Sequence, residues 1–181
     1  MKAVLCKEYG PPEKLVIEDV PSPEPKDGEV VIEVHSAAVN FPDVLIIQNL
    51  YQFKPPLPFS PGGEVAGVVE KLGPGVTTLK EGDRVIGSCG WGGYAEELVL
   101  DAARCTPFPD NMDFVTASAF LMTYGTSHHA LKDRAQIKPG ETLLVMGAAG
   151  GVGLAAVELG KAMGARVIAA ASTEDKVQVA K

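Results

Sequence analysis

The first hundred residues alternate short apolar runs with glycine- and proline-rich turns, which is the pattern of an all-β unit. In the run at 29–38, Val30, Ile32 and Val34 occupy alternate positions, so this strand is predicted to have one buried face. Further strands are predicted at 1–7, 15–19, 64–71, 84–87 and 95–100. A short helix is predicted at 43–49, followed by a proline-rich loop at 51–61 that is a candidate wall of a binding site.

Beyond residue 107 the apolar spacing becomes helical, and helices are predicted at 113–119 and 124–132. The apolar run at 142–146 then predicts a strand buried on both faces. The sequence therefore divides into a first domain at 1–122 and a second domain at 123–181.

A glycine-dense turn follows the strand at 142–146 and precedes a run of helix formers that Gly164 is expected to end. Glycines there allow a sharp turn and close approach to a pyrophosphate, whose charge faces the free N–H groups of the helix start. A second buried strand at 165–171 completes a βαβ unit of about thirty residues. The alternative is a glycine-rich turn that binds nothing. The predicted cofactor-binding residues of the turn are Ala148, Gly150, Gly151, Val152 and Gly153.

If the turn binds a nicotinamide dinucleotide, the end of the second strand indicates which of its two forms is preferred. No Asp or Glu stands there to accept a hydrogen bond from the ribose 2′-OH. Instead, Ser172 can donate to a 2′-phosphate and Lys176 can neutralise it, which favours NADPH over NADH. Glu174 and Asp175 count against this choice, because either carboxylate would repel a phosphate.

Charge and cysteine content narrow the class of protein. Sixteen basic and twenty-three acidic side chains give a net charge of −7, which argues against a nucleic-acid or anionic-membrane partner and favours a small molecule. No apolar run is long enough to span a membrane. Cys6, Cys89 and Cys105 contain no CxxC pair, so neither a disulfide framework nor a zinc knot is indicated, and a cytoplasmic location is expected. Each cysteine is interpreted as a small buried hydrophobe, although the glycine-rich surroundings of Cys89 leave open that it is exposed.

Several motifs together resemble the zinc-independent quinone oxidoreductases of the medium-chain dehydrogenase/reductase superfamily. They are Met1 to Val4, Asn40 to Asp43, Tyr51, Pro61 to Gly67, Gly82 to Val85, Gly93 to Glu96 and Gly147 to Gly153. The resemblance implies a mixed α/β fold, with a GroES-like β-barrel catalytic domain followed by the first βαβ unit of a Rossmann-type doubly wound domain. Family members are nearly twice as long, so the chain corresponds to a truncated form, and a homodimer is expected of the full-length form. Glu158 replaces the family's usual glutamine and is expected to face helix packing.

The resemblance also implies the absence of zinc. Zinc-bearing relatives place a cysteine near position 40 or 41 and a histidine before the glutamate of a Gly-His-Glu motif. Here that motif reads Gly62-Gly63-Glu64, and the four-cysteine structural lobe of those relatives is missing. Because glycine cannot ligate, no metal is predicted.

Without a metal, hydrogen-bond donors must stabilise the oxyanion that develops when hydride is transferred. By resemblance, Asn40 and Tyr51 border the substrate and nicotinamide, and Thr126 meets the nicotinamide from the second domain. Each also has a structural interpretation: Asn40 as a turn residue, Tyr51 as an apolar wall and Thr126 as a donor to a helix carbonyl.

The predicted reaction is NADPH-dependent reduction of a quinone or an activated, enone-type C=C bond. A small, apolar, planar substrate is favoured by a set of residues in the first domain: Phe41, Leu45, Tyr51 and Phe53. One alternative is an enoyl-thioester (acryloyl-CoA-like) reductase, which basic residues near Lys54 would favour. Another alternative, from a different class, is an inactive truncated fragment of such an enzyme.

Overall fold

The computed structural model describes every residue from Met1 to Lys181. The residues form two compact units, Met1–Ala119 and Phe120–Lys181, hereafter the first and second units. The boundary predicted from the sequence lies after residue 122.

The first unit contains two antiparallel sheets. Strands β1 (Lys2–Leu5) and β2 (Val16–Asp19) form the smaller sheet. The larger sheet consists of β3 (Glu29–Ala37), β4 (Glu64–Leu72), β5 (Arg84–Ser88), β6 (Glu97–Asp101) and β7 (Cys105–Pro107), in the order β6-β3-β4-β5-β7. The sequence predicted all of these strands except β7, whose three residues carry no alternating pattern and are defined by their pairing with β5.

The core of the first unit lies against the two central strands of the larger sheet. Val30 and Ile32 of β3 pack in one cluster with Val65 and Val69 of β4. Val31 is fully buried as well, although the alternating pattern predicted a single buried face for β3. The prediction is wrong at this point because the strand is covered on both sides there, and exposure begins only at Glu33.

Two helices complete the first unit, together with single turns of 3₁₀ helix at Pro12–Lys14 and Ala102–Arg104. Helix α1 (Phe41–Ile46) begins two residues before its predicted start at 43. Its first turn is stabilised because the Asn40 backbone N–H donates to Asp43 Oδ2 at 2.8 Å. The first turn of helix α2 (Phe114–Ser118) is capped by Asp113, whose Oδ1 accepts a hydrogen bond from the Thr116 N–H at 2.7 Å.

The second unit begins with a continuous helical stretch at 121–134. It is π-helical over Leu121–Gly125, α-helical over Thr126–His128 (α3), and π-helical again over His129–Arg134. The predicted helix at 124–132 lies within this stretch. None of the helices in the structure has the length and apolar character needed to cross a membrane.

A βαβ unit forms the rest of the second unit. Strands β8 (Thr142–Met146) and β9 (Arg166–Ala170) are parallel and are connected by α4 (Gly151–Ala162), with α5 (Glu174–Val179) following. Gly164, with φ +83°, ends α4 as predicted. The N–H groups of Gly164 and Ala165 donate at 3.0 Å to the carbonyls of Lys161 and Gly160, which is the Schellman arrangement.

One prediction about the βαβ unit is wrong. The strand at 142–146 was expected to be buried on both faces, yet Leu144 and Met146 are 57% and 75% exposed. Ile168 of β9 is also exposed. The reason is that α4 covers only one face of the two-stranded sheet, whereas parallel sheets are normally covered on both faces.

The packing of β4 against β3 yields a test of the first unit. A Cβ atom added at Gly67 would lie 2.0 Å from the carbonyl oxygen of Glu33 and 2.6 Å from Ile32 Cγ2. Gly67→Ala should therefore lower the free energy of unfolding by roughly 2–3 kcal/mol, because backbone must move to relieve the overlap. Gly75→Ala, at an open turn with φ +78°, should cost only about 1 kcal/mol.

Urea unfolding followed by the fluorescence of Trp91, the single tryptophan, would measure both variants. An equal loss of stability in the two would contradict the assigned register of β3 and β4.

Candidate functional site

The glycine turn of the second unit has the backbone geometry of an anion site. Gly147, directly after β8, has φ +68°, a conformation that favours glycine. The Gly150 N–H donates to the Gly147 carbonyl at 3.0 Å, and α4 begins at the next residue. No side chain caps the start of α4. Its first N–H groups are therefore available to an anionic ligand rather than to a capping side chain.

Gly153 allows the first turn of α4 to lie directly against this turn. A Cβ atom at position 153 would stand 2.3 Å from the Gly147 carbonyl oxygen and 3.0 Å from Ala148 Cα. Both neighbours are backbone atoms that a side chain could not displace cheaply. The close helix–turn packing that a dinucleotide fingerprint requires thus depends on glycine at this position.

A cleft of about 630 Å³ opens beside the glycine turn. Within it, Lys176 Nζ lies 3.4 Å from Ser172 Oγ, so the two residues predicted to hold a 2′-phosphate are adjacent. The cleft is lined by Met146, Gly147, Ala149, Gly150, Ala170, Ala171, Ser172, Lys176 and Val179.

The other residues predicted from the glycine turn lie outside that lining. Ala148 is fully buried, and its N–H donates to the Ala170 carbonyl at 3.0 Å, which joins the turn to β9. Gly151, Val152 and Gly153 form the first turn of α4. Of the five predicted turn residues, only Gly150 borders the cleft, while the others shape the backbone around it.

Thr126 is exposed. The next residue, Ser127, connects the helical stretch to α4 through a hydrogen bond. Ser127 is 2% exposed and its hydroxyl donates to the Val152 carbonyl at 2.7 Å. The stretch that carries Thr126 is therefore held to the start of α4. The sequence analysis missed Ser127, because a serine in a helical run gives no signal of its long-range partner.

Tyr124 makes a second connection to α4 that the sequence analysis missed. Its hydroxyl donates a hydrogen bond to the exposed carboxylate of Glu158, which raises the pKa of the phenol. The ring of Phe120 stacks on Tyr124 with centroids 5.0 Å apart. The expectation that Glu158 faces helix packing is therefore wrong, since it is a surface acceptor. The sequence signal that could have indicated this contact was the glutamate at position 158, where the resembled family usually has glutamine.

In the first unit, Asn40 belongs to a network of buried polar groups. Its Nδ2 donates to Glu64 Oε1 at 3.1 Å, and its backbone N–H donates to Asp43. Tyr94 donates its hydroxyl to Asp43 Oδ2 at 2.9 Å. Glu64 and Asp43 are 1% and 5% exposed. The sequence analysis placed Asp43 at the start of the helix predicted at 43–49 but assigned no role to Glu64 or Tyr94.

Tyr94 is held as a neutral phenol within this network. Burial raises its pKa most, and the neighbouring Asp43 carboxylate, which also accepts its proton in a hydrogen bond, raises it further. The hydroxyl lies 3.2 Å from the Ala38 carbonyl as well. Tyr94 is consequently a structural donor that closes the network around α1.

Tyr51 lies beyond the C-terminal end of α1, whereas Asn40 precedes its first residue. Tyr51 packs against a small core cluster formed by Cys6, Ile46, Ile47 and Phe59. Its ring meets Phe53 edge-on, with centroids 5.7 Å apart. Phe53 and Phe41 are 52% and 73% exposed, so each ring presents apolar aromatic surface to solvent.

The structure contains no group of three or more His, Cys, Asp or Glu side chains that could hold a metal ion. All three cysteines are free and buried, including Cys89, whose Sγ donates to the Gly62 carbonyl at 3.2 Å. Burial raises the pKa of the Cys89 thiol to about 12 and that of Cys105 to about 11. Burial also raises the pKa of Cys6.

Comparison with known proteins shows extensive similarity. Residues 26–110 match the alcohol dehydrogenase GroES-like domain. The chain is 45% identical over 181 residues to the quinone oxidoreductase-like protein 2 homolog of Nematostella vectensis, covering 98% of this chain and 49% of that protein. It spans about half the length of the curated relatives it matches.

Two solved structures match this chain over nearly its whole length. The Escherichia coli quinone oxidoreductase complexed with NADPH aligns with a TM-score of 0.93 and 34% identity, over 99% of this chain and 55% of that one. The quinone oxidoreductase of Thermus thermophilus, also solved with NADPH, aligns with a TM-score of 0.88 and 39% identity, over 99% and 56%. These matches confirm the predicted mixed α/β fold with its GroES-like domain.

The raised thiol pKa values predict a measurable pH response. At pH 8 the three thiols should be protonated and buried, so a thiolate-specific reagent should modify them only after the protein is unfolded. Because the folded pKa of Cys89 lies above the ordinary value of 9.0, its contribution to stability is present below pH 9 and is lost as pH rises toward about 12.

Reaction of the native protein with Ellman's reagent, compared with protein in urea, measures the first effect. Rapid reaction of one native thiol at pH 8 would contradict the burial of that cysteine.

Proposed function

We propose that the chain belongs to an NADPH-dependent oxidoreductase. The reason is that it is related along its length to quinone oxidoreductases of the medium-chain dehydrogenase/reductase superfamily. The substrate is a quinone or an activated, enone-type C=C compound, and the reaction proceeds without zinc. The observation that best supports this proposal is the cleft beside the glycine turn, where Ser172 Oγ and Lys176 Nζ lie 3.4 Å apart.

The residues of the second unit fit the cofactor by their own chemistry. The N–H groups at the start of α4 would receive the pyrophosphate. The Ser172 hydroxyl would donate to the 2′-phosphate, and the Lys176 ammonium would neutralise it. Thr126 would donate its hydroxyl to the nicotinamide end. When bound, the cofactor supplies a hydride to the substrate. Glu174 and Asp175 lie in the first turn of α5. Either carboxylate would repel the 2′-phosphate and so reduce the preference for NADPH.

The first unit supplies the substrate side of the proposed reaction. The amide of Asn40 and the phenol of Tyr51 would donate hydrogen bonds to the oxygen on which negative charge develops. The exposed rings of Phe41 and Phe53 would contact a planar, apolar substrate. Glycine at position 63 removes the side chain that would ligate zinc in metal-bearing relatives, which supports donation by hydrogen bonds alone.

The proton that completes the reduction would come from solvent or from Tyr51. Tyr94 is unsuited to this role, because its pKa is raised and its hydroxyl already donates to the buried Asp43.

The enoyl-thioester alternative requires a basic surface for the phosphates of the thioester. Lys54 is exposed beside Phe53, and it is the only lysine or arginine between residues 27 and 70. A single cation favours a quinone or enone over a phosphate-bearing thioester. Reduction of a quinone by the 181-residue chain would exclude the alternative of an inactive fragment. A homodimer of the full-length form and a cytoplasmic location remain predictions.

Removal of Lys176 tests the cofactor assignment. Lys176→Ala should weaken NADPH binding by roughly tenfold to a hundredfold, the cost of a charge-assisted contact, and leave NADH binding unchanged. Lys161→Ala removes an exposed lysine on α4 that lies outside the cleft lining and serves as the matched control. Fluorescence titration with both cofactors measures the affinities. Equal affinity of the unmodified protein for NADPH and NADH would refute the proposed preference.

Two substitutions in the first unit test the proposed donors. Asn40→Ala and Tyr51→Phe should each lower kcat for quinone reduction by about a hundredfold, while NADPH affinity is retained. Tyr9→Phe is the matched control, since Tyr9 packs against the same cluster as Tyr51 and should change kcat little. Steady-state kinetics with NADPH and a benzoquinone measures these effects.

The same assay tests the zinc-free mechanism. Treatment with EDTA should leave the rate unchanged, and elemental analysis should find no stoichiometric zinc. Loss of activity that added zinc restores would overturn the proposal.

A further inference from the structure

Glu64 is a buried carboxylate to which the proposed reaction assigns no direct role. It is 1% exposed and begins β4, in a run where the residues on both sides are also buried. A carboxylate in such surroundings is costly unless polar groups satisfy it. The Asn40 side chain is one of these groups, with Nδ2 donating to Glu64 Oε1 at 3.1 Å.

The backbone around Glu64 is fixed on both sides. The preceding residue, Gly63, accepts hydrogen bonds from the N–H groups of Cys89 and Gly90, each at 3.0 Å. Glu64 itself pairs with Ser88 in the register of β4 and β5. The carboxylate therefore projects from a rigid part of the sheet, as a positioning group must.

The backbone of Asn40 is fixed independently of Glu64. Its N–H donates to Asp43 Oδ2 at 2.8 Å, and Asp43 is itself held by the Tyr94 hydroxyl. Two contacts place the side-chain amide, whose oxygen and nitrogen ends are nearly equal in size: its oxygen end faces the Asp43 backbone N–H in the capping box of α1, and its nitrogen end faces Glu64. An ionised carboxylate accepts hydrogen bonds but cannot donate them. Glu64 therefore fixes the NH₂ end of the Asn40 amide, in the same orientation that the capping box favours.

We propose that Glu64 is a positioning residue that fixes the amide of Asn40, so that its second N–H remains available to the substrate oxygen. This inference rests on the proposed function, in which Asn40 stabilises the developing oxyanion. Glu64 acts through Asn40 and does not contact the substrate. Glutamine at position 64 has nearly the same shape, yet it can donate as well as accept, so it would no longer select the NH₂ end of the Asn40 amide and would hold it less firmly.

Side-chain NMR tests the orientation without relying on activity. The Asn40 NH₂ resonances would be assigned by their loss in Asn40→Ser. In Glu64→Gln the pair should shift and its protons should exchange with solvent several-fold faster. Glu70→Gln, an exposed acid on the same strand, should leave the pair unchanged. An unaltered Asn40 pair in Glu64→Gln would overturn the proposal.

Kinetics tests whether the orientation matters for the reaction. Glu64→Gln should lower kcat for quinone reduction by roughly tenfold to a hundredfold, as expected for a displaced donor, with the KM for NADPH unchanged. In an Asn40→Ser background, Glu64→Gln should cost nothing further, because its effect passes through the amide. Additive losses in the double variant would overturn the proposal by showing that Glu64 acts independently of Asn40.

The two measurements separate the possible failures. If the unmodified protein reduces no quinone or enone, the proposed function fails, and the NMR result alone decides whether Glu64 orients Asn40. If Glu64→Gln does not fold, as judged by circular dichroism, Glu64→Asp replaces it, since aspartate keeps the charge but withdraws it by one methylene. The same shift of the Asn40 pair is expected of that variant, and an unshifted pair would refute the proposal.

Discussion

The second unit depends on the contact between the first turn of α4 and the end of β8. A helix can lie this close to a strand only if no side chain intervenes, and Gly153 meets that condition opposite the Gly147 carbonyl. The N-cap residue, Gly150, has no side chain to cap the helix, and it lines the cleft that contains Ser172 and Lys176. The proposed anion site thus follows from this close packing, and the positive partial charge of the helix start would add to it.

The first unit is governed by a different constraint, the need to satisfy buried polar groups. Asp43 and Glu64 are nearly inaccessible to solvent, and each accepts a hydrogen bond from Asn40. Tyr94 supplies a further donor to Asp43, and burial, together with this carboxylate, raises the pKa of the phenol. A network of this kind is costly if any member is lost, so it holds α1 and the residues beside it in one arrangement.

Both constraints bear on the proposed reaction, which would use no metal. Hydrogen-bond donors are effective in place of a Lewis acid only when they are held still before the reaction begins, because their reorganisation would otherwise cost the energy they supply. The buried carboxylates of the first unit provide that rigidity for Asn40. The hydrogen bond from Ser127 to Val152 provides a comparable restraint in the second unit, next to Thr126.

Local sequence signals determined most of the secondary structure and the location of the glycine turn. The alternation of residues along β3, the glycine turn after β8 and the helix end at Gly164 all depend on nearest neighbours, so a single sequence displays them. Tertiary structure alone decided features that rest on distant partners. Pairing with β5 defined β7, and cover on both sides buried Val31, while one-sided cover left Leu144 exposed. The hydrogen bond between Asn40 and Glu64 was also decided by tertiary structure. The two residues are twenty-four positions apart, and contacts between residues so far apart produce no periodic pattern in the sequence.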